Sequence, residues 1–204
     1  ARHMEQTEDL LQFLPEELQR DKVYLYDFGT ACVYDRKPLA AEALRARMNQ
    51  GTLLVNFTGH GSDEQIADER VFELGTVPSL TNAERLFLFF TASCSVGKYD
   101  FLGEGLGEAL LLHPGGGAIG VFSASAVAFS AGNSDMNQRF FRAVWPGREL
   151  WVPRPLGVAT FEAKNGQGGG LNTRRYIYLG DPGTRLATPR RPVELSLHAS
   201  YGGD

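Results

Sequence analysis

The sequence predicts an α/β protein, specifically a three-layer α/β/α sandwich on a mostly parallel sheet. Two observations carry that prediction. Apolar and aromatic runs alternate with stretches of helical composition, the pattern of successive strand, helix, strand units. Two of those runs, Leu53-Leu54-Val55-Asn56-Phe57-Thr58 and Leu86-Phe87-Leu88-Phe89-Phe90-Thr91-Ala92, lead directly into reactive residues, His60 within Gly59-His60-Gly61 and Cys94 after Ser93. As neighbouring parallel strands they deliver an imidazole and a thiol to one sheet edge, where open α/β sheets place their ligands.

The elements follow in order. A polar stretch around Glu5 to Arg20 reads as helical, and Lys22 to Phe28 is aromatic and β-branched enough for a short strand. Pro38 to Asn49 predicts a helix, with proline in its first turn, alanine, leucine and arginine inside it and Gly51 just past its end. The Leu53 strand comes next. Ser62 to Arg85, charged and containing Pro78, fits a crossover with a short helical turn before the Leu86 strand.

After Cys94 a glycine-punctuated loop precedes a helix at about Gly105 to Leu112. His113-Pro114-Gly115-Gly116-Gly117 breaks it and opens the buried strand Ala118 to Phe122. Those three glycines precede a strand, whereas phosphate-binding loops lead from a strand into a helix, so they read as a connection. Helices are expected at Asn133 to Trp145 and Arg154 to Ala163, the latter limited in its start by Pro155. Asn165 to Gly170 reads as a flexible connection, and Arg175 to Leu179 as a last strand before the turn Gly180-Asp181-Pro182. Residues 1–188 form one domain on this reading. Residues 189–204, with the alternating Val193 to Leu197, form a tail or the start of an attached domain.

Composition excludes several classes. With 204 residues, 43% hydrophobic and 22% charged, the chain builds one sizeable core and is not disordered. A net charge of -4 with no Lys/Arg block leaves no footprint for nucleic acid. Cys32 and Cys94 are the only cysteines, which excludes a disulfide-rich scaffold; Cys32 reads as a free thiol outside the site. No apolar run reaches membrane-spanning length. The first residues lack the apolar core of a signal peptide, and the chain reads as a piece of a longer exported precursor.

A thiol near neutral pH needs a base or a positive environment to act as a nucleophile, and an imidazole supplies either. His60 and Cys94 therefore point to cysteine-dependent acyl transfer. The backbone amides of Gly61 and Cys94 are the natural donors for an oxyanion. The plainer readings are a buried structural cysteine and a tight Gly-His-Gly turn with a solvent-facing or metal-bound histidine. Neither His3, His113 nor His198 has metal-ligand spacing to His60 or Cys94, and the chemistry expected here requires no cofactor.

Asn56-Phe57-Thr58-Gly59-His60-Gly61-Ser62, followed by Thr91-Ala92-Ser93-Cys94, resembles the gingipain family of cysteine peptidases within the broader caspase-like group. Gly107-Glu108-Ala109-Leu110, Gly117-Ala118-Ile119 and Leu179-Gly180-Asp181-Pro182 extend the resemblance over about Lys22 to Ala187. It implies a caspase-like sheet, Cys94 as nucleophile, His60 as its acid/base partner and polypeptide substrates. It also implies structural calcium, an upstream α/β portion that this chain begins too late to contain, and Phe129 lining the pocket for the substrate side chain. For a basic side chain, Asp63, Glu64 and Asp100 are the carboxylates to consider, and Asp27 and Asp35 are the candidates for orienting His60.

Two local stretches, Ala67-Asp68-Glu69-Arg70 and Gly97-Lys98-Tyr99-Asp100, are most similar to the type IX secretion sortase branch. That branch implies processing of exported proteins at the bacterial cell surface, with transpeptidation onto an amine and secretion-assembly partners. The second reading is a non-catalytic caspase-like scaffold or binding module of such an assembly.

Overall fold

The computed structural model describes residues 2–29, 36–100 and 102–189. Its centre is a four-stranded sheet of β1 (Leu54–Thr58), β4 (Phe87–Ala92), β5 (Ala118–Ala124) and β6 (Tyr176–Gly180), in that spatial order. β1, β4 and β5 run parallel, and β6 runs antiparallel to β5. A hairpin of β2 (Gln65–Ile66) and β3 (Phe72–Glu73) stands apart.

β4 is buried at all six positions, as a parallel strand covered on both faces must be. Its side chains alternate between two cores because successive residues of a strand point to opposite faces. Leu88, Phe90 and Ala92 pack with Phe140, Phe141 and Leu156 under α4 (Ser130–Val144) and α5 (Leu156–Gln167). Phe87 and Phe89 join Met48 and Leu110 under α2 (Pro38–Gly51) and α3 (Leu106–Leu112). Two separate cores across one sheet make the predicted three layers. Burying one such phenylalanine stabilises the fold by roughly 1.5–3 kcal/mol.

The connection into β5 needs its glycines. Gly116 and Gly117 have φ of +156° and +102°, and a Cβ on Gly117 would lie 2.1 Å from the Leu110 carbonyl oxygen. Asn82 completes this join: its amide donates to the Gly117 and Arg85 carbonyls, and its Oδ1 accepts from the Gly117 amide at 2.8 Å.

Several expectations are corrected. Lys22 to Phe28 is no strand: Leu25–Phe28 forms a 3-10 turn, with Tyr26 88% exposed. Val23, just before the turn, and Leu25 and Phe28 within it reach the second core, and the three-residue step from Leu25 to Phe28 is one that strand alternation does not give. The first helix is short: α1 (Arg2–Glu8) passes into a 3-10 turn at Asp9–Phe13, and Leu14, preceding Pro15, is extended. The crossover contains the β2–β3 hairpin besides its helical turn, Leu74–Ser79. The supposed flexible connection is partly the end of α5, and a further helix, α6 (Leu171–Arg175), precedes β6. Cys32, Asp35, His198 and the segment Val193 to Leu197 lie outside the described residues.

Candidate active site

In the β1–β4 ladder Thr58 faces Ala92, and the Gly59 amide extends the pairing to the Ala92 carbonyl at 3.3 Å. His60 and Cys94 each stand two residues past that last matched pair, on strands about 4.8 Å apart. The parallel register thus brings both predicted residues to equivalent places at one sheet edge. His60 is exposed and Cys94 is a half-buried free thiol.

Each turn is held from several sides. Asn137 of α4 exchanges amide hydrogen bonds with Asn56 at 2.8 and 3.3 Å and reaches the Thr58 hydroxyl at 3.5 Å, fixing the strand before His60. The His60 carbonyl accepts from the Ala67 amide at 2.9 Å, and the Ser62 amide donates to Gln65, so the β2–β3 hairpin braces the histidine turn. The first amides of α3 gather both loops: Leu106 donates to the Asp63 carbonyl at 2.7 Å and Gly107 to the Val96 carbonyl at 3.2 Å. A Cβ on Gly107 would lie 2.8 Å from that same Val96 oxygen, which accounts for glycine there.

Neither glycine beside His60 has a positive φ. Their role is close approach: a Cβ on Gly61 would lie 2.7 Å from Ser93 Oγ and 3.1 Å from the Cys94 carbonyl oxygen. Gly61 therefore lies directly against the cysteine turn. Among the described residues, neither the Gly61 nor the Cys94 amide donates a hydrogen bond, so both donors are open.

The turn after Cys94 is strained. Ser95 has φ of +57°, and the Val96 amide donates back to the Cys94 carbonyl at 2.8 Å, a γ-turn of the rare hand. Around the sulfur, the Ala128 amide donates to Sγ at 3.3 Å and the thiol faces the Ala128 carbonyl at 3.4 Å. Beneath it, the buried Tyr176 hydroxyl donates to Asn133 Oδ1 at 3.0 Å. Burial, and then electrostatic interaction with Cys94, push the Tyr176 phenol well above its ordinary range.

Phe129 is 61% exposed and follows Ala128, so it stands on the rim beside the sulfur rather than in the core. Asp27 is exposed on the 3-10 turn and acts on Tyr24; the ring that meets His60 is His3, edge-on at 5.8 Å. Asp63 is half-buried, and Glu64 and Asp100 are exposed. Among the described residues no three His, Cys, Asp or Glu side chains converge on one point. No helix among them is long and apolar enough to cross a membrane. Sequence reasoning missed Ala128 and Asn172, which reach the site through backbone and amide contacts that carry no local signal.

The sequence model of peptidase family C25 matches residues 2–187. The chain belongs to peptidase family C25, the gingipain family of cysteine peptidases. The fold agrees. The crystal structure of the Arg specific cysteine proteinase gingipain R superposes with a TM-score of 0.66 at 20% identity, covering 74% of this chain and 37% of that one. The complex of Porphyromonas gingivalis RgpB pro- and mature domains gives 0.65 at 19%, covering 74% and 38%. A structure described as a protease gives 0.59 at 17%, covering 78% and 41%. The C25 chain described here thus spans about two fifths of each of these solved chains. No curated protein matches it.

Proposed function

We propose that this C25 chain carries the catalytic residues of a cysteine endopeptidase. The observation that supports this reading best is the register that sets His60 and Cys94 side by side beyond Thr58 and Ala92, with the open Gly61 amide packed against the cysteine turn. In the proposed reaction His60 takes the thiol proton and Cys94 Sγ bonds to the scissile carbonyl carbon. The Gly61 and Cys94 amides hold the resulting oxyanion. The C–N bond breaks as His60 returns the proton to the leaving amine, and a thioester remains. Water then releases the acid, or an amine takes the acyl group in transpeptidation.

Phe129, exposed beside the sulfur, is the residue proposed to meet the substrate side chain. The segments Ala67 to Arg70 and Gly97 to Asp100, which border the two turns, support a place in the sortase branch. With it go processing of exported polypeptides at the bacterial surface and partners in a secretion assembly.

The test is incubation with a diverse peptide library, read by mass spectrometry for cleavage and for new amide bonds. Cleavage lost in both Cys94→Ala and His60→Ala supports the assignment; turnover retained without the cysteine overturns it. Amide products select the transpeptidase, and a folded wild-type chain that neither cleaves nor is labelled by an electrophilic peptide selects the scaffold.

A further inference from the structure

The segment framing the Cys94 sulfur is gripped by α6, the helix the sequence did not announce. Asn172 is 5% exposed and holds both backbone groups of Phe129: its Oδ1 accepts from the Phe129 amide at 3.0 Å, and its Nδ2 donates to the Phe129 carbonyl at 2.9 Å. The same Nδ2 donates to Asn133 Oδ1 at 2.8 Å, which ties the grip to α4. Phe129 follows Ala128, whose peptide groups are the hydrogen-bonding partners of the sulfur. Arg175, one turn on, donates to the Val127 carbonyl on the other side of Ala128. Space for Asn172 is made in α4: a Cβ on Gly132 would lie 2.5 Å from its Nδ2.

We propose that Asn172 is the positioning residue of the Cys94 nucleophile: it fixes the Ala128–Phe129 peptide directly and, together with Arg175 on the Val127 carbonyl, keeps the Ala128 amide on the sulfur. An N–H aimed at a thiolate favours the ionised, reactive form, so the effect of Asn172 passes through Ala128 to the reactivity of Cys94. The assignment rests on the proposed role of Cys94, but its primary readout is the sulfur itself and not turnover.

The experiment measures alkylation by iodoacetamide against pH in a Cys32→Ser background, where Cys94 is the sole thiol. Two variants are compared with that parent: Asn172→Ala, and Gly132→Ala, which crowds the Asn172 amide while improving the helix propensity of α4. In both, once circular dichroism shows them folded, alkylation at neutral pH slows about fivefold or more, so that its profile departs from the parent's. A folded Asn172→Ala or Gly132→Ala chain with the parent's profile overturns the proposal. If Asn172→Ala does not fold, Gly132→Ala decides alone. A folded parent that neither cleaves peptides nor is labelled by an electrophilic peptide refutes the peptidase reading, while the alkylation profiles still decide whether Asn172 positions the sulfur.

Discussion

Gly61 and Ser93 are packed so closely that a methyl group on the glycine would lie 2.7 Å from the serine hydroxyl. The contact joins the turn that carries His60 to the end of the strand that carries Cys94. Gly61→Ala is expected to cost about 1–3 kcal/mol by overpacking, and to slow peptide cleavage by pushing the two turns apart. Ser93 Oγ is buried without a hydrogen-bond partner, so Ser93→Ala is expected to be neutral or stabilising. The double variant should recover much of the loss. Thermal melts and cleavage rates for the four proteins test this, and purely additive effects would falsify a direct contact.

Ser95 sits at φ of +57° in the turn after Cys94. A β-branched side chain is poorly accommodated there, and Ser95→Val is expected to destabilise by about 1–3 kcal/mol. Ser95→Gly is expected to melt at or above the wild-type temperature. Denaturant titration of both variants reads the difference directly.

Tyr176 gives a pH dependence of defined sign. Burial, and then electrostatic interaction with Cys94, raise its phenol, so the folded chain retains a proton that the unfolded chain loses above its ordinary value of about 10. The stability it contributes is fully present below that pH and is lost as pH rises toward the raised folded value. Unfolding free energy followed through the alkaline range should fall more steeply in the wild type than in Tyr176→Phe. Parallel curves would show that the phenol does not titrate as described.

Asn82, 1% exposed, pairs with Gly117 and Arg85 where β5 begins, away from the cysteine turn. Asn82→Ala leaves the buried Gly117 amide unpaired and is expected to cost about 2 kcal/mol. Cys94 alkylation in the variant, measured well below its melting temperature, should match the wild type. A large change in alkylation would mean that the join transmits to the site.

Most of the sheet was legible in the sequence because it depends on local patterns. An unbroken apolar run announces a strand covered on both faces, as in β4, and Pro38 together with Gly51 marks both ends of α2. Elements of a few residues escaped: two-residue strands and a five-residue helix are too short to show a period. Lys22 to Phe28 failed for another reason. Its composition suits a strand, but in the structure it packs against the second core as a 3-10 turn, and strand composition without a partner does not make a strand.

The site divides in the same way. His60 and Cys94 were readable as residues that follow two apolar runs, and the order of those runs along the chain suggested their meeting. That they meet was decided by the parallel register of β1 and β4, which local composition does not encode. The surroundings of the sulfur were decided only by the tertiary fold. Ala128 and Asn133 come from the start of α4 and the loop before it, and Asn172 comes from α6, 39 residues after Asn133; they act through backbone amides and carboxamides whose roles depend on what lies opposite them. By itself the sequence determined which reactive groups this C25 chain carries and at which strand ends. Packing decided what holds them, because hydrogen-bond partners distant along the chain exist only once the layers have closed.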